Sequence, residues 1–165
     1  MNRNPANYAG EQHPVHVWDS LADKASVAHL VDVRTMSETA FVGIPDLTSI
    51  NKDVWLLEWK VFPRMCKNEN FLEDIASKIM DACHACPKGV DFVLYFICRS
   101  GCRSDEAAAE VENHLQQKKF QPLFDHVRKI TIYNVAEGFE GEPDVHKHRN
   151  TTSGWKFHNL PWKQT

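Results

Sequence analysis

Six apolar residues in a row, Phe92-Val93-Leu94-Tyr95-Phe96-Ile97, stop abruptly at Cys98, and an acidic, alanine-rich stretch begins at Asp105. A short apolar run with such an edge reads as a buried strand, and the stretch after it as a helix. Other short apolar runs alternate with helix-period stretches along the chain, the pattern of an α/β domain with a mainly parallel sheet. Strands are expected at 29–33, 53–62, 91–98 and 129–135. Helices are expected over 15–23 and 70–83, with a helical turn at 37–41. Leu72, Ile75, Ala76, Ile79 and Cys83 fall on one helical face, as do Ala108, Val111 and Leu115 further on. Ser104 is placed as the cap of that last helix, with Asp105 and Glu106 pointing outward from its first turn. The closing segment 154–162 is expected to pack back on the body.

A length of 165 residues fits a single domain, 1–165, with enough chain to bury a real core. The core is assigned to about 15–162, with 1–14 as a polar tail and 140–153 as a surface loop. A net charge of −3 gives no global field for nucleic acid or an anionic membrane, so neither is expected as a partner. The first twenty residues lack a basic start followed by an apolar stretch, and the longest apolar run is too short to span a bilayer. A soluble, cytoplasmic protein is expected. Its five cysteines are then thiols, and the question is which one reacts.

Cys98 stands at the carboxyl end of a strand, where open α/β sheets place their ligand sites. The loop Arg99-Ser100-Gly101-Cys102-Arg103 is short enough to curl its N–H groups around an anion, backed by a helix N-terminus. Such a nest also favours a thiolate over a thiol. Gly101 permits positive φ, and two arginines add charge and bidentate donors. A core cysteine followed by an ordinary turn explains the apolar run but not this loop. Two chemistries use a cysteine in an anion cradle: phosphate-ester hydrolysis and sulfur transfer. Four residues separate Cys98 from Arg103. Cysteine phosphatases carry five, so the tighter cradle favours a single sulfur atom over a phosphoryl group.

The stretch Cys98-Arg99-Ser100-Gly101-Cys102-Arg103-Ser104 is similar to the active-site loop of the rhodanese family of sulfurtransferases. The segment 30–46 resembles that family's other signature, through Asp32, Arg34, Glu38, Gly43 and Pro45, although Ile44 follows Gly43 where the family has histidine. "NVAEGF" (134–139) and "GWKFHNLP" (154–161) resemble its closing segments, separated by an insertion. The resemblance implies a rhodanese-like fold with helices on both faces of the sheet. It implies a persulfide mechanism on Cys98, with no metal or organic cofactor. Partners would be a small-molecule sulfur donor and acceptor, such as thiosulfate and cyanide or a thiol, or else a protein sulfur acceptor. Arg99 is assigned to the substrate's sulfonate end and Arg103 to holding the loop through a carboxylate. Asp32, Arg34, Glu38 and Ser104 are assigned to the scaffold. The alternatives are a non-catalytic or sulfur-carrier module and, less favoured by loop length, a cysteine phosphatase.

Other residues receive plainer readings. Cys102 is read as a small filler facing the sheet, with a redox partner for Cys98 as its alternative. Cys83 and Cys86 end a helix and are read as core residues over a redox or metal pair. His146 and His148 are read as solvated loop residues. Trp55 and Trp59, four apart in an expected strand, should face one side of the sheet.

Overall fold

A computed structural model describes residues 6–164. Strand β1 (Ala6–Gln12) leads into helix α1 (Pro14–Ala22), strand β2 (Val27–Asp32), helix α2 (Met36–Val42) and the two-residue strand β3 (Ile44–Pro45). Short strands β4 (Trp55–Leu56), β5 (Lys60–Val61) and β6 (Cys66–Lys67) precede helix α3 (Phe71–Ala85). Strand β7 (Asp91–Ile97), helix α4 (Cys102–Leu115), helix α5 (Gln121–His126), strand β8 (Lys129–Val135) and strand β9 (Trp162–Lys163) complete the chain.

The central sheet has the order β1-β8-β7-β2-β4, and every neighbouring pair is parallel. Its two faces follow from side-chain alternation along β7. Phe92, Leu94 and Phe96 point to one face and pack with α3, α4 and α5 through Ile75, Ile79, Ala108, Val111 and Phe124. Tyr95 and Ile97 point to the other and pack with Val17 and Leu21 of α1 and with Trp155 and Leu160 of the C-terminal segment. Burial on both faces explains why β7 reads as a continuous apolar run.

Two assignments from sequence need correction. The supposed tail contains β1, which pairs with β8 along the sheet edge. Its exposure alternates and only Ala6 is buried, so a polar edge strand leaves no apolar run to detect. Residues 1–5 of that tail lie outside the described residues. The expected strand 53–62 is broken. Leu57 and Trp59 donate their backbone N–H groups to the carbonyls of Asp32 and Val33, and the chain then turns into the β5–β6 hairpin. Trp59 is buried and Trp55 packs against the same cluster, so the two tryptophans do share one side.

The loop 140–153 is a surface segment folded around Asp144. That carboxylate accepts from the backbone N–H groups of His146 and His148 and from the Thr151 hydroxyl, at 2.8, 2.9 and 2.9 Å. His146 and His148 are exposed there. The closing segment does pack back: Trp155 is fully buried, and β9 pairs antiparallel with β3.

Candidate functional site

Strands β2 and β7 run in register and end together, with Asp32 opposite Ile97 and the Val33 N–H bonded to the Ile97 carbonyl at 2.9 Å. Their exits therefore bring the segment after Asp32 alongside the loop after Ile97. Cys98 continues the alternation of Phe92, Leu94 and Phe96, so its side chain joins the cluster under α4 and is only 1% exposed. The loop turns at Gly101, whose φ of 110° belongs to the left-handed region that glycine enters without penalty. Helix α4 then starts at Cys102 with Gly101 as its N-cap residue.

Ser104 is thus inside the first turn rather than the cap assigned to it. Its hydroxyl turns inward, 3.2 Å from the Cys98 sulfur, 3.1 Å from the Gly101 carbonyl and 2.6 Å from Asn134 Oδ1. Asn134 donates its amide N–H groups to the Gly101 carbonyl and to Glu11, which orients Oδ1 toward Ser104. One hydroxyl proton cannot serve three acceptors. With Cys98 as a thiol, the Ser104 proton belongs to Asn134 and the hydroxyl oxygen can accept the S–H. With Cys98 as a thiolate, the same proton can swing to sulfur. The Gly101 backbone N–H, 3.1 Å from the sulfur, donates to it in either state.

Arg103 reaches back to α2 and grips Glu38 with two bonds of 2.8 and 2.6 Å. Burial alone would raise the Glu38 pKa, but the Arg103 guanidinium and the Thr35 backbone N–H and hydroxyl outweigh it and hold the carboxyl down at about 2. Glu38, through its hydrogen bonds first and its charge second, in turn keeps Arg103 firmly protonated. Glu38 also closes a capping box with Thr35 at the start of α2. The carboxylate partner expected for Arg103 is therefore Glu38.

Asp32 and Arg34 form a fully buried ion pair, with Asp32 accepting from the Arg34 Nε at 2.9 Å and Nη2 at 2.6 Å. Arg34 also donates to the Gly43 carbonyl at 2.7 Å and lies 4.0 Å from the Phe139 ring centre. A buried pair of this kind needs close geometry to offset desolvation, and Arg34 Nη1 is left buried without a hydrogen-bond partner. It locks the exit of β2 to the turn before β3, away from solvent.

A strap after β8 covers the loop. Phe139 and Glu140 donate their N–H groups to the carbonyls of Cys98 and Arg99, at 2.8 and 2.9 Å. Gly138 sits so close that a Cβ there would lie 2.6 Å from backbone atoms of both residues. Beside the loop opens a cleft of about 470 Å³, bounded by Thr35 and Val42 on one side, Phe62 and Pro63 on another, and Arg99 and Arg103. Arg99 is exposed on this rim and Ser100 half-buried behind it.

Of the other candidates, Cys102 is exposed, which corrects its reading as a filler against the sheet; both it and Cys98 are free thiols. Cys83 is buried in the core, and burial pushes its pKa up to about 12, which suits neither a redox pair nor a ready metal ligand. Asp105 and Glu106 do point outward, toward Tyr8 and Lys60. Asn134 and Gly138 fall inside the segment 134–139 likened to a family signature, but neither residue was given a role from sequence. An asparagine inside the buried run of β8 was the available signal, since unpaired polar residues are costly there.

No protein-family model matches the chain. It is 35% identical over 136 residues to the uncharacterized protein RC0915 of Rickettsia conorii, a match spanning 82% of this chain and 83% of that one. The uncharacterized protein RP600 of Rickettsia prowazekii is 34% identical over the same 136 residues' length. The crystal structure of Rv0390 from M. tuberculosis matches with a TM-score of 0.71 and 34% identity, covering 96% of this chain and all of that one. No helix among the described residues is long and apolar enough to cross a membrane. The parallel five-stranded sheet with helices on both faces is the rhodanese-like fold, and the chain belongs to the family of these rickettsial and mycobacterial proteins.

Proposed function

We propose that the protein is a sulfurtransferase that carries a sulfane sulfur as a persulfide on Cys98. The observation that supports this best is the Cys98 sulfur itself, held between the Gly101 N–H and the Ser104 hydroxyl at the end of β7. Both are donors that a thiolate, the form that attacks sulfur, can accept from. The thiolate attacks the outer sulfur of a donor such as thiosulfate; the donor's S–S bond breaks and sulfite leaves with the electron pair. Cyanide or a thiolate then attacks the outer sulfur of the persulfide, and the Cys98 thiolate is restored. The sum needs no external oxidant or reductant.

Arg103 is committed to Glu38, so it shapes the loop and leaves Arg99 to meet an anionic donor at the cleft. At 1% exposure, Cys98 suits a donor that presents one terminal sulfur and disfavours a bulky phosphoryl group. Steady-state turnover of thiosulfate and cyanide to thiocyanate tests the reading, with the wild-type chain active and Cys98→Ser inactive.

A second reading has its own support. Met36 and Phe41 on α2, and Phe62 and Met65 after β5, stand exposed on the segments that line the cleft. That apolar rim suits a protein sulfur acceptor, with the domain as a carrier. Loading by thiosulfate without turnover to small acceptors would favour the carrier.

A further inference from the structure

Three segments far apart in sequence meet beside the strap. His13 precedes α1, Glu137 sits in the turn after β8, and His158 lies in the closing segment. Among the described residues, this is the one trio of His, Cys, Asp or Glu side chains whose ligand atoms converge, all within 4.8 Å of one another. Glu137 Oε2 lies 2.7 Å from His158 Nε2, and Oε1 lies 3.6 Å from His13 Nε2. The two imidazole rings stand 4.5 Å apart, centre to centre.

We propose that His13, Glu137 and His158 form a divalent transition-metal site, of the two-histidine, one-carboxylate type that Zn²⁺ takes with water as its fourth ligand. Metal–ligand distances of about 2.0–2.1 Å imply tetrahedral edges of about 3.3–3.4 Å. The 2.7 and 3.6 Å contacts go to different oxygens of Glu137, and one ligand atom from each residue lies within 4.8 Å of the others, so side-chain rotation must close that spread to the edge length. The carboxylate is already positioned: the Gly154 N–H donates to Oε2 at 2.8 Å.

The alternative occupant of this cluster is a proton, giving a plain ion pair of imidazolium and carboxylate. Ligation through Nε2 requires each neutral ring to carry its proton on Nδ1. For His13 this forfeits the bond that its Nδ1 accepts from the Val15 N–H, which at 3.3 Å is long and weak. A cation here would tie the entry to α1 and the C-terminal segment to the turn that bonds the Cys98 and Arg99 carbonyls. Its role is therefore to hold the strap. The chemistry proposed for Cys98 does not depend on it.

The test uses the full chain, stripped by chelator and kept reduced, titrated with Zn²⁺ and separately with Co²⁺. The wild type should take up one Zn²⁺ per chain with a raised unfolding midpoint. Its Co²⁺ spectrum should show nitrogen and oxygen ligation without the thiolate charge-transfer band that the cysteines would give. His13→Asn keeps a helix-capping acceptor while removing the ring, and His158→Gln removes the second ring. Each, with an unchanged far-UV spectrum, should weaken uptake by more than the roughly 10–100-fold that loss of a mere supporting partner costs. No uptake by the wild type at micromolar metal, full uptake by both variants, or a thiolate band in the Co²⁺ spectrum would each overturn the proposal.

Discussion

The Ser104 hydroxyl lies 3.2 Å from the Cys98 sulfur and 2.6 Å from Asn134 Oδ1, so one proton is shared between that sulfur and a buried strand amide. In the proposed mechanism Ser104 therefore serves both the sulfur chemistry and the core. Replacing it by alanine removes a donor to a thiolate, and hydrogen bonds to charged groups contribute about 1.5–3 kcal/mol, or roughly 10–100-fold in rate. Sulfur transfer by Ser104→Ala should fall by that factor. The same change strands Asn134 Oδ1 in a fully buried position and should cost about 1–3 kcal/mol in stability. Asn134 also donates to the Gly101 carbonyl and Glu11, so Asn134→Ala should cost stability by itself, but less when added to Ser104→Ala than when made alone, and it should not recover rate. Strictly additive losses in a denaturant-unfolding cycle would show that the two side chains do not share the proton.

Gly138 is constrained twice, by a φ of 64° and by backbone of Cys98 and Arg99 at 2.6 Å from any Cβ. Gly89 has a similar φ of 80° but open space around it. Gly89→Ala should therefore lose only the conformational cost, about 1–2 kcal/mol. Gly138→Ala should lose clearly more, and should also lower the proposed sulfur transfer because the strap holds the Cys98 loop. Equal destabilisation of the two variants in chemical unfolding would refute the close approach.

Two half-buried groups should divide the acid side of the stability curve. His29 lies between Trp55 and Phe92, and burial, aided by Lys52, pushes its pKa down to about 4 from 6.5. A depressed pKa means the folded state binds the proton less readily, so this contribution is complete above pH 6.5 and is lost as pH falls toward 4. Glu38, held at about 2, contributes above its ordinary value of 4.5 and loses that contribution as pH falls through 2. Thermal unfolding from pH 7.5 to 2.5 checks both. The gap between wild type and Glu38→Gln should stay constant above about pH 5.5 and narrow below 4.5. His29→Gln should flatten the wild-type decline between 6.5 and 4. A Glu38→Gln gap that narrows instead between pH 7.5 and 6 would contradict the assignment.

What the sequence made legible was whatever chemistry is local. The strand ending at Cys98, the glycine turn and the helix after it occupy adjacent residues, and each leaves its own compositional mark. The Glu38–Arg103 pair was half legible: a carboxylate was expected for Arg103, but its identity required folding residues 65 positions apart onto one another. β1 was illegible because an edge strand exposed on alternate residues needs no apolar pattern. Ser104 was misplaced as a cap because serine at a helix start is equally compatible with both roles, and only the position of Asn134 on β8 decides between them. The trio of His13, Glu137 and His158 has no local signature at all, since its spacing is a property of the tertiary fold.

Persulfide chemistry at Cys98 is read most directly from the state of one sulfur atom. Intact mass of the reduced chain, measured before and after thiosulfate and again after cyanide, reads that atom without any assumption about a physiological partner. Wild-type protein should gain one sulfur, located by peptide mapping on Cys98, and return to its starting mass with release of thiocyanate, while Cys98→Ser should gain none. A sulfur that loads equally well on the Cys98→Ser chain, or that maps to the exposed Cys102 or Cys66, would contradict the account.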